Sequence, residues 1–175
     1  MESAVESAVV VEVADVGRLV DAHRRVLDPS SARGMPAHVT MLYPFIPPSQ
    51  IDEDVFSAIE RALAGLGGFE VVFRHMAWFG EQVLWLTPEP DDLFRLMTSR
   101  LIKAYPDYPP YGGANVDPIP HLTVGDGSPI QAMRRAEAAI SVRLPIAARV
   151  NHVSIMTGSF EKDSWKTVRR IRLAG

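Results

Sequence analysis

The sequence predicts an α+β fold built as two pseudo-symmetric lobes with largely antiparallel sheets around a central cleft. Three observations carry this. Short β-branched runs alternate with amphipathic helical stretches along the chain. The order strand, helix, loop, strand, helix, strand occurs twice. One phrase, histidine-apolar-threonine-apolar, stands at equivalent places in the two copies, at residues 38–41 and 121–124.

Residues 8–13 are β-branched and read as a buried strand. Asp15 is placed to cap the helix that follows, whose apolar stripe is Val16, Leu19, Val20, His23, Val26 and Leu27. Residues 29–36 form a turn-rich loop with Arg33 and Gly34. The first phrase is a strand running through Tyr43 and stopped by Pro44. Pro47 and Pro48 introduce a helix over about 51–66, with Val55, Phe56, Ile59, Leu63 and Leu66 inward and glycines at its end. Residues 69–78 and 83–87 are neighbouring strands joined by a turn at Gly80-Glu81, and Pro88 and Pro90 end the second. Asp91 opens a helix carrying Leu93, Phe94, Leu96, Met97, Leu101 and Ile102. A loop rich in Tyr, Pro and Gly over 105–120 leads into the second phrase, which closes at Gly125-Asp126-Gly127. Residues 129–140 read as a helix, and 144–157 and 165–173 as two final strands. Each half is thus β-α-β-α-β, about 8–80 and 83–158, followed by a C-terminal strand at 164–173. No linker separates the halves, so the 175 residues predict a single domain.

Composition narrows the function. With 47% hydrophobic and 22% charged residues the chain has the make-up of a soluble globular protein. It contains no cysteine, which excludes disulfides, thiolate metal sites and a cysteine nucleophile. The start of the chain carries Glu2 and Glu6 in place of basic residues, and no apolar run approaches the roughly 18 residues of a membrane helix. A soluble, cytoplasmic monomer without membrane contact is expected. A net charge of -3 argues against an extended nucleic-acid surface. The charge is uneven, however. From Ser141 onward seven basic residues face two acidic ones, a net +5 that leaves -8 for the rest. Such a tail can attract a small anion or an RNA end.

The repeated phrase carries the chemistry. In an extended strand side chains i and i+2 share a face. His38-Val39-Thr40-Met41 and His121-Leu122-Thr123-Val124 therefore each present an imidazole and a hydroxyl on one face and two apolar groups on the other. Two such strands side by side supply two histidines and two hydroxyls to one cleft, a set suited to acid–base work on a phosphate ester. A third near-match, His152-Val153-Ser154-Ile155, is set apart by the repeat. His38 and His121 occupy equivalent positions, whereas His152 aligns with His75 on the strands after the second helices. His38 and His121 are therefore the expected catalytic pair, with His75 and His152 packed or supporting. Tyr43, Phe45, Trp78 and Tyr111 lie near strand ends or in loops beside the motifs, where they could stack on a base. Arg33 and Lys166 are candidates for phosphate contact.

Two H-x-T-x motifs in the two halves of so short a chain resemble the 2H phosphoesterase superfamily, which includes 2'-5' RNA ligase-like proteins and cyclic-nucleotide phosphodiesterases. The stretches around Pro36–Phe45, Tyr108–Gly113 and Pro120–Val124 resemble its bacterial 2'-5' RNA ligase-like branch, as does Trp78-Phe79-Gly80 followed by Val83-Leu84-Trp85-Leu86. The resemblance implies a bilobal fold with His38 and His121 as catalytic and Thr40 and Thr123 as phosphate-binding residues. It implies a nucleotide or RNA terminus with a cyclic phosphate as partner, and hydrolysis of a 2',3'-cyclic phosphate or a 2'-5' linkage. In that scheme one neutral histidine takes a proton from water and the other, protonated, gives one to the departing ribose oxygen. The threonine hydroxyls donate to the non-bridging oxygens. With a 5'-hydroxyl in place of water, the same site run backward joins RNA ends.

Two other readings compete. A metal site could use His38, His121 and His152 with Asp126, but threonine at i+2 has no evident use there, and neither metal nor cofactor is expected. The same cleft could instead bind a nucleotide or phosphoester without turnover, or act on a small non-RNA phosphoester.

Overall fold

The computed structural model describes residues 4–115 and 117–175, so Val116 in the loop before the second phrase lies outside the described residues. In chain order the elements are β1 (Glu6–Glu12), α1 (Ala14–Leu27), α2 (Pro29–Ala32), β2 (His38–Leu42), α3 (Glu53–Leu63), β3 (Phe69–Phe79) and β4 (Val83–Glu89). They continue as α4 (Asp92–Ala104), β5 (Leu122–Asp126), α5 (Ile130–Ser141), β6 (Ile146–Val150), β7 (His152–Gly158) and β8 (Lys166–Arg172). The eight strands form one sheet in the order β6-β3-β4-β5-β2-β1-β7-β8, and every neighbouring pair is antiparallel. Together with the five α-helices of the described residues this is the α+β class expected from the pattern.

The order is symmetric about its middle. Moving outward from the centre, β5, β4, β3 and β6 lie on one side and β2, β1, β7 and β8 on the other. The last strand of each half is exchanged, so β3 pairs with β4 and β7 with β1. The stretches 8–80 and 83–158 thus describe the order of elements along the chain, while the sheet groups strands from both. The helices cross over as well, with α1 against β5 and α4 against β2.

Alternation decides the faces. In β1, Val9 and Val11 enter the main core with Val39 and Met41 of β2, Leu84 and Leu86 of β4, and Leu122 and Val124 of β5. Ala8 and Val10 point the other way, into a smaller cluster with Met35, Met156 and Trp165. The sheet therefore buries apolar groups on both faces near β1, and the smaller cluster forms one wall of the cleft.

Several local expectations are corrected. Asp15 does not cap α1: the N-cap is Val13 and makes no side-chain hydrogen bond, because the strand passes directly into the helix. Asp15 sits in the first turn, where its charge suits the helix dipole. Val26 is 79% exposed, while Val16, Leu19, Val20 and Leu27 are buried, and Arg24 joins the inward row of Val16, Val20 and Leu27. Residues 29–32 form a helical turn capped by Asp28. The helix α3 is shorter than 51–66, since Asp52 caps it and Ala64 leaves the helical region at ψ 137°. The strand β4 runs on through Pro88, opposite a bulge in β3 between Phe73 and Met76, where the ladder needs no donor. Residues 144–157 are not one strand. The run breaks at Asn151, so that β6 pairs with β3 near one edge and β7 with β1 near the other. The turn before β3 meets the end of the chain through a Gly67–Ala174 bridge. Among the described residues, no helix is long and apolar enough to cross a membrane.

Close packing at Gly158 fixes Trp165 over the small cluster. A β-carbon there would stand 2.4–2.7 Å from three atoms of the indole ring. Gly158→Ala is expected to cost about 1–3 kcal/mol and to lower Tm by roughly 2–12 °C. Thermal unfolding followed by circular dichroism reads this, and an unchanged Tm would contradict the packing.

Candidate active site

The two phrases meet at the centre of the sheet. Strands β2 and β5 pair at Val39↔Leu122, with both side chains fully buried. An antiparallel register through that pair sets His38 beside Thr123 and Thr40 beside His121, all on the face opposite the core. These four residues line one open cavity of about 800 Å3, together with Asp28, Arg33, Tyr43, Phe79, Tyr111 and Trp165 among others.

The two rings are held alike. Nδ1–H of His38 donates to the Pro36 carbonyl at 2.7 Å, and Nδ1–H of His121 to the Ile119 carbonyl at 2.7 Å. A carbonyl only accepts, so the proton of each neutral ring sits on Nδ1 and Nε2 carries the basic lone pair. In both cases the carbonyl lies two residues upstream, in the extended chain entering the strand.

The surroundings of the rings differ. Burial pulls His38 down to about 4, a hydrogen bond to the Pro36 carbonyl acts against this, Arg24 and His121 lower it, and Asp28 raises it. Burial also lowers His121, opposed by its bond to Ile119. The His121 ring stands edge-on to Phe79 at 5.0 Å and to Trp85 at 5.7 Å, and those two rings stack at 4.7 Å. Asp126, at the end of β5, lines the same cavity, and burial and the nearby Asp28 raise its carboxyl.

Of the aromatic candidates, the cavity takes two. The Tyr43 hydroxyl donates to Glu6 Oε1 at 2.9 Å, and burial with that carboxylate pushes the phenol up to about 12. Tyr111 adopts a left-handed backbone at φ 54°, unusual for a residue with a β-carbon, and its N–H donates to the Tyr43 carbonyl at 2.6 Å. Its phenol is raised by burial, with the Thr40 hydroxyl beside it acting in the other direction. Phe45 and Trp78 are not brought to the cavity. Phe45 is 5% exposed and packs edge-on against Tyr105 and Tyr108. Trp78 turns toward α5, where its Nε1–H donates to Glu137 at 2.8 Å and Arg134 lies over its ring at 4.4 Å. Its neighbour Phe79, on the opposite face of β3, is the one that reaches the cavity.

Arg33 lines the cavity and lies over the exposed Phe160 ring at 5.1 Å, whereas Lys166 is solvent-exposed outside it. His75 is not packed: its side chain is 70% exposed, 3.8 Å from Glu89. His152 bonds through Nδ1 to Asn151 Oδ1 at 2.7 Å and does not line the cavity. Among the described residues, no three His, Cys, Asp or Glu side chains gather into a group able to hold a metal ion. Sequence reasoning missed Phe79, Trp85, Trp165 and the Arg24–Asp28 pair. An available signal for the last was an arginine on the buried row of α1 with an aspartate four residues on.

Comparison with curated proteins gives no match. Among solved structures, E. coli LigT complexed with NADP+ is similar over 99% of this chain and 100% of its own, at 16% identity and a TM-score of 0.61. E. coli LigT complexed with 3'-AMP is similar over the same shares at 15% identity and a TM-score of 0.58. TT0787 of Thermus thermophilus is similar over 97% of this chain and 98% of its own at 16% identity, with a TM-score of 0.66. At these identities the likeness is one of fold. The model of the 2'-5' RNA ligase superfamily matches residues 11–159, a span that contains both H-x-T-x strands. By that match and by its fold, the chain belongs to the 2'-5' RNA ligase superfamily, the 2H phosphoesterase group that its paired motifs resemble.

Proposed function

We propose that the protein is a metal-independent phosphodiesterase that acts on a 2',3'-cyclic phosphate or a 2'-5' linked nucleotide or RNA end. The observation that carries this is the pairing of β2 and β5, which turns two histidines of one tautomer and two threonine hydroxyls toward a single cavity. Membership of a phosphoesterase and ligase superfamily supports enzymatic action, and the neighbours' complexes with 3'-AMP, ATP and NADP+ support a nucleotide ligand.

The phosphate of the substrate lies between the two rings. Nε2 of the neutral histidine takes a proton from water as its oxygen attacks phosphorus. The opposite, protonated histidine gives its proton to the departing ribose oxygen, leaving a phosphomonoester and a free hydroxyl. Thr40 and Thr123 donate to the non-bridging oxygens, where negative charge grows. A 5'-hydroxyl attacking phosphorus in place of water opens the cyclic phosphate by the same two proton transfers and joins two RNA ends. Tyr43 and Tyr111 flank the cavity and contact the nucleoside.

A panel of 2',3'-cyclic nucleotides, RNA with a cyclic phosphate end and 2'-5' linked oligonucleotides, assayed with a chelator present, tests the reading. Turnover of at least one is expected. His38→Ala and His121→Ala should each lose about 10²–10⁴-fold in kcat, while His152→Ala keeps most activity. Tight nucleotide binding without turnover, or activity that needs zinc, would overturn it.

The pH profile has a definite sign. Both rings are held below their ordinary value of about 6.5, and productive free enzyme needs one charged and one neutral ring. The bell of kcat/KM should therefore centre below pH 6.5. The kcat profile, which reports the complex, should move to higher pH, because a bound phosphate anion favours the imidazolium. A kcat/KM bell centred above about pH 6.5, or a single sigmoid, would contradict the scheme.

A further inference from the structure

The helix α1 ends on an ion pair withdrawn from solvent. Arg24 is 1% exposed and Asp28 4%. Nη2 and Nε of Arg24 donate to one carboxylate oxygen of Asp28 at 2.9 and 3.2 Å. The same guanidinium reaches the Met35 carbonyl at 3.1 Å and Asp21 at 3.3 Å, with the Ser30 hydroxyl at 3.5 Å. Asp28 in turn accepts the Ser30 N–H at 2.9 Å and the Ser30 hydroxyl at 2.8 Å. Arg24 thereby ties the end of α1, the turn α2 and the chain at Met35 into one unit. Pro36 comes next, and its carbonyl holds the His38 ring. Asp28 lines the same cavity as His38.

Stability alone does not account for this arrangement. Apolar residues of similar size in place of a buried ion pair are often neutral or stabilising. A cap for α2 requires only an acceptor at position 28, which asparagine also supplies. On the other side Arg95 of α4 bonds Asp91 and the loop residue Asp117, each at 2.8 Å, but Asp117 is solvent-exposed, and Phe79 and Trp85 stand beside the His121 ring.

We infer that Arg24 and Asp28 form a positioning pair for His38, fixing the carbonyl against which its ring is oriented and setting the charge it experiences. The inference rests on the proposed role of His38 as a catalytic residue. Arg24 and Asp28 from the end of α1 and His121 from β5 act on the ring through their charges, and Arg33, Tyr43, Tyr111, Asp117 and Asp126 line the cavity it shares. The guanidinium opposes an imidazolium at His38 and the carboxylate favours it, so the two members act in opposite directions. The pseudo-equivalent histidines become unequal, one backed by charge and the other by aromatic rings.

The test reads His38 without any substrate. Histidine ring signals of the unliganded protein are titrated by NMR in the wild type, Arg24→Met and Asp28→Asn. Arg24→Met should raise the proton affinity of His38 by about tenfold, and Asp28→Asn should lower it, with His121 moved much less. No shift at His38, or shifts of the same sign in both variants, would overturn the inference. Arg24→Met leaves Asp28 buried without its partner and can fail to fold. The double variant Arg24→Met, Asp28→Asn removes both charges and the tie to Met35 together. It should keep a native circular dichroism spectrum and lose about 10²-fold in kcat with KM changed less than about twofold, the size expected of a misplaced catalytic group. Unchanged kcat in that variant would overturn the positioning role. A protein without turnover on any phosphodiester would defeat the proposed function while leaving the titration arm intact.

Discussion

At the middle of the sheet, β2 and β5 touch through the single register pair Val39↔Leu122. The rest of the molecule is arranged to hold that contact. Two short strands joined so briefly would separate in isolation, since a minimal ladder is marginal in water. Here each is backed by its own core residues, Val39 and Met41 on one side and Leu122 and Val124 on the other, and each is paired more fully on its outer side, to β1 and to β4. The exchange of β3 and β7 stitches the two halves across this seam, so neither half can move as a unit without breaking a long antiparallel pairing. The cavity lies over this contact, lined by His38, Thr40, His121 and Thr123.

The chemistry follows from what the seam does to the two rings. Each is pinned at Nδ1 by a carbonyl two residues upstream, so each offers Nε2. Burial disfavours the charged form of each ring. In the function proposed for the site, a phosphate anion between the rings favours the charge that burial disfavours on one of them. The threonines at i+2 come with the histidines at no further structural cost, since the alternation of a strand places them on the same face. The differing support of the rings, polar behind His38 and aromatic beside His121, breaks a symmetry that the repeat would otherwise impose.

Much of this was legible in the sequence, for physical reasons that also mark where legibility ends. The parity of His38 with Thr40 and of His121 with Thr123 is fixed within four residues, and the repeat alone separates them from His152. Parity across longer distances is not local. Whether Trp78 or Phe79 meets the cavity depends on the register of β3 against β4, which a bulge between Phe73 and Met76 resets. The run over 144–157 looks continuous because both parts are apolar and β-branched. It breaks at Asn151 because its partners lie near opposite edges of the sheet, and strand exchange leaves no mark on hydrophobic periodicity. Phe45 resembles Tyr43 in sequence context, yet it turns into the core against Tyr105 and Tyr108. Arg24 reads as a solvated helix cation, and only the inward row of Val16, Val20 and Leu27 shows that it points to the interior.

The central claim is that both halves act on one phosphorus atom. A crystal structure with a bound nucleoside monophosphate tests it most directly. The account predicts a single phosphate in the cavity with its oxygens within about 2.6–3.2 Å of Nε2 of both His38 and His121, and in hydrogen-bond reach of the Thr40 and Thr123 hydroxyls. A phosphate held by one histidine alone, with the other ring turned away or bonded elsewhere, would contradict it.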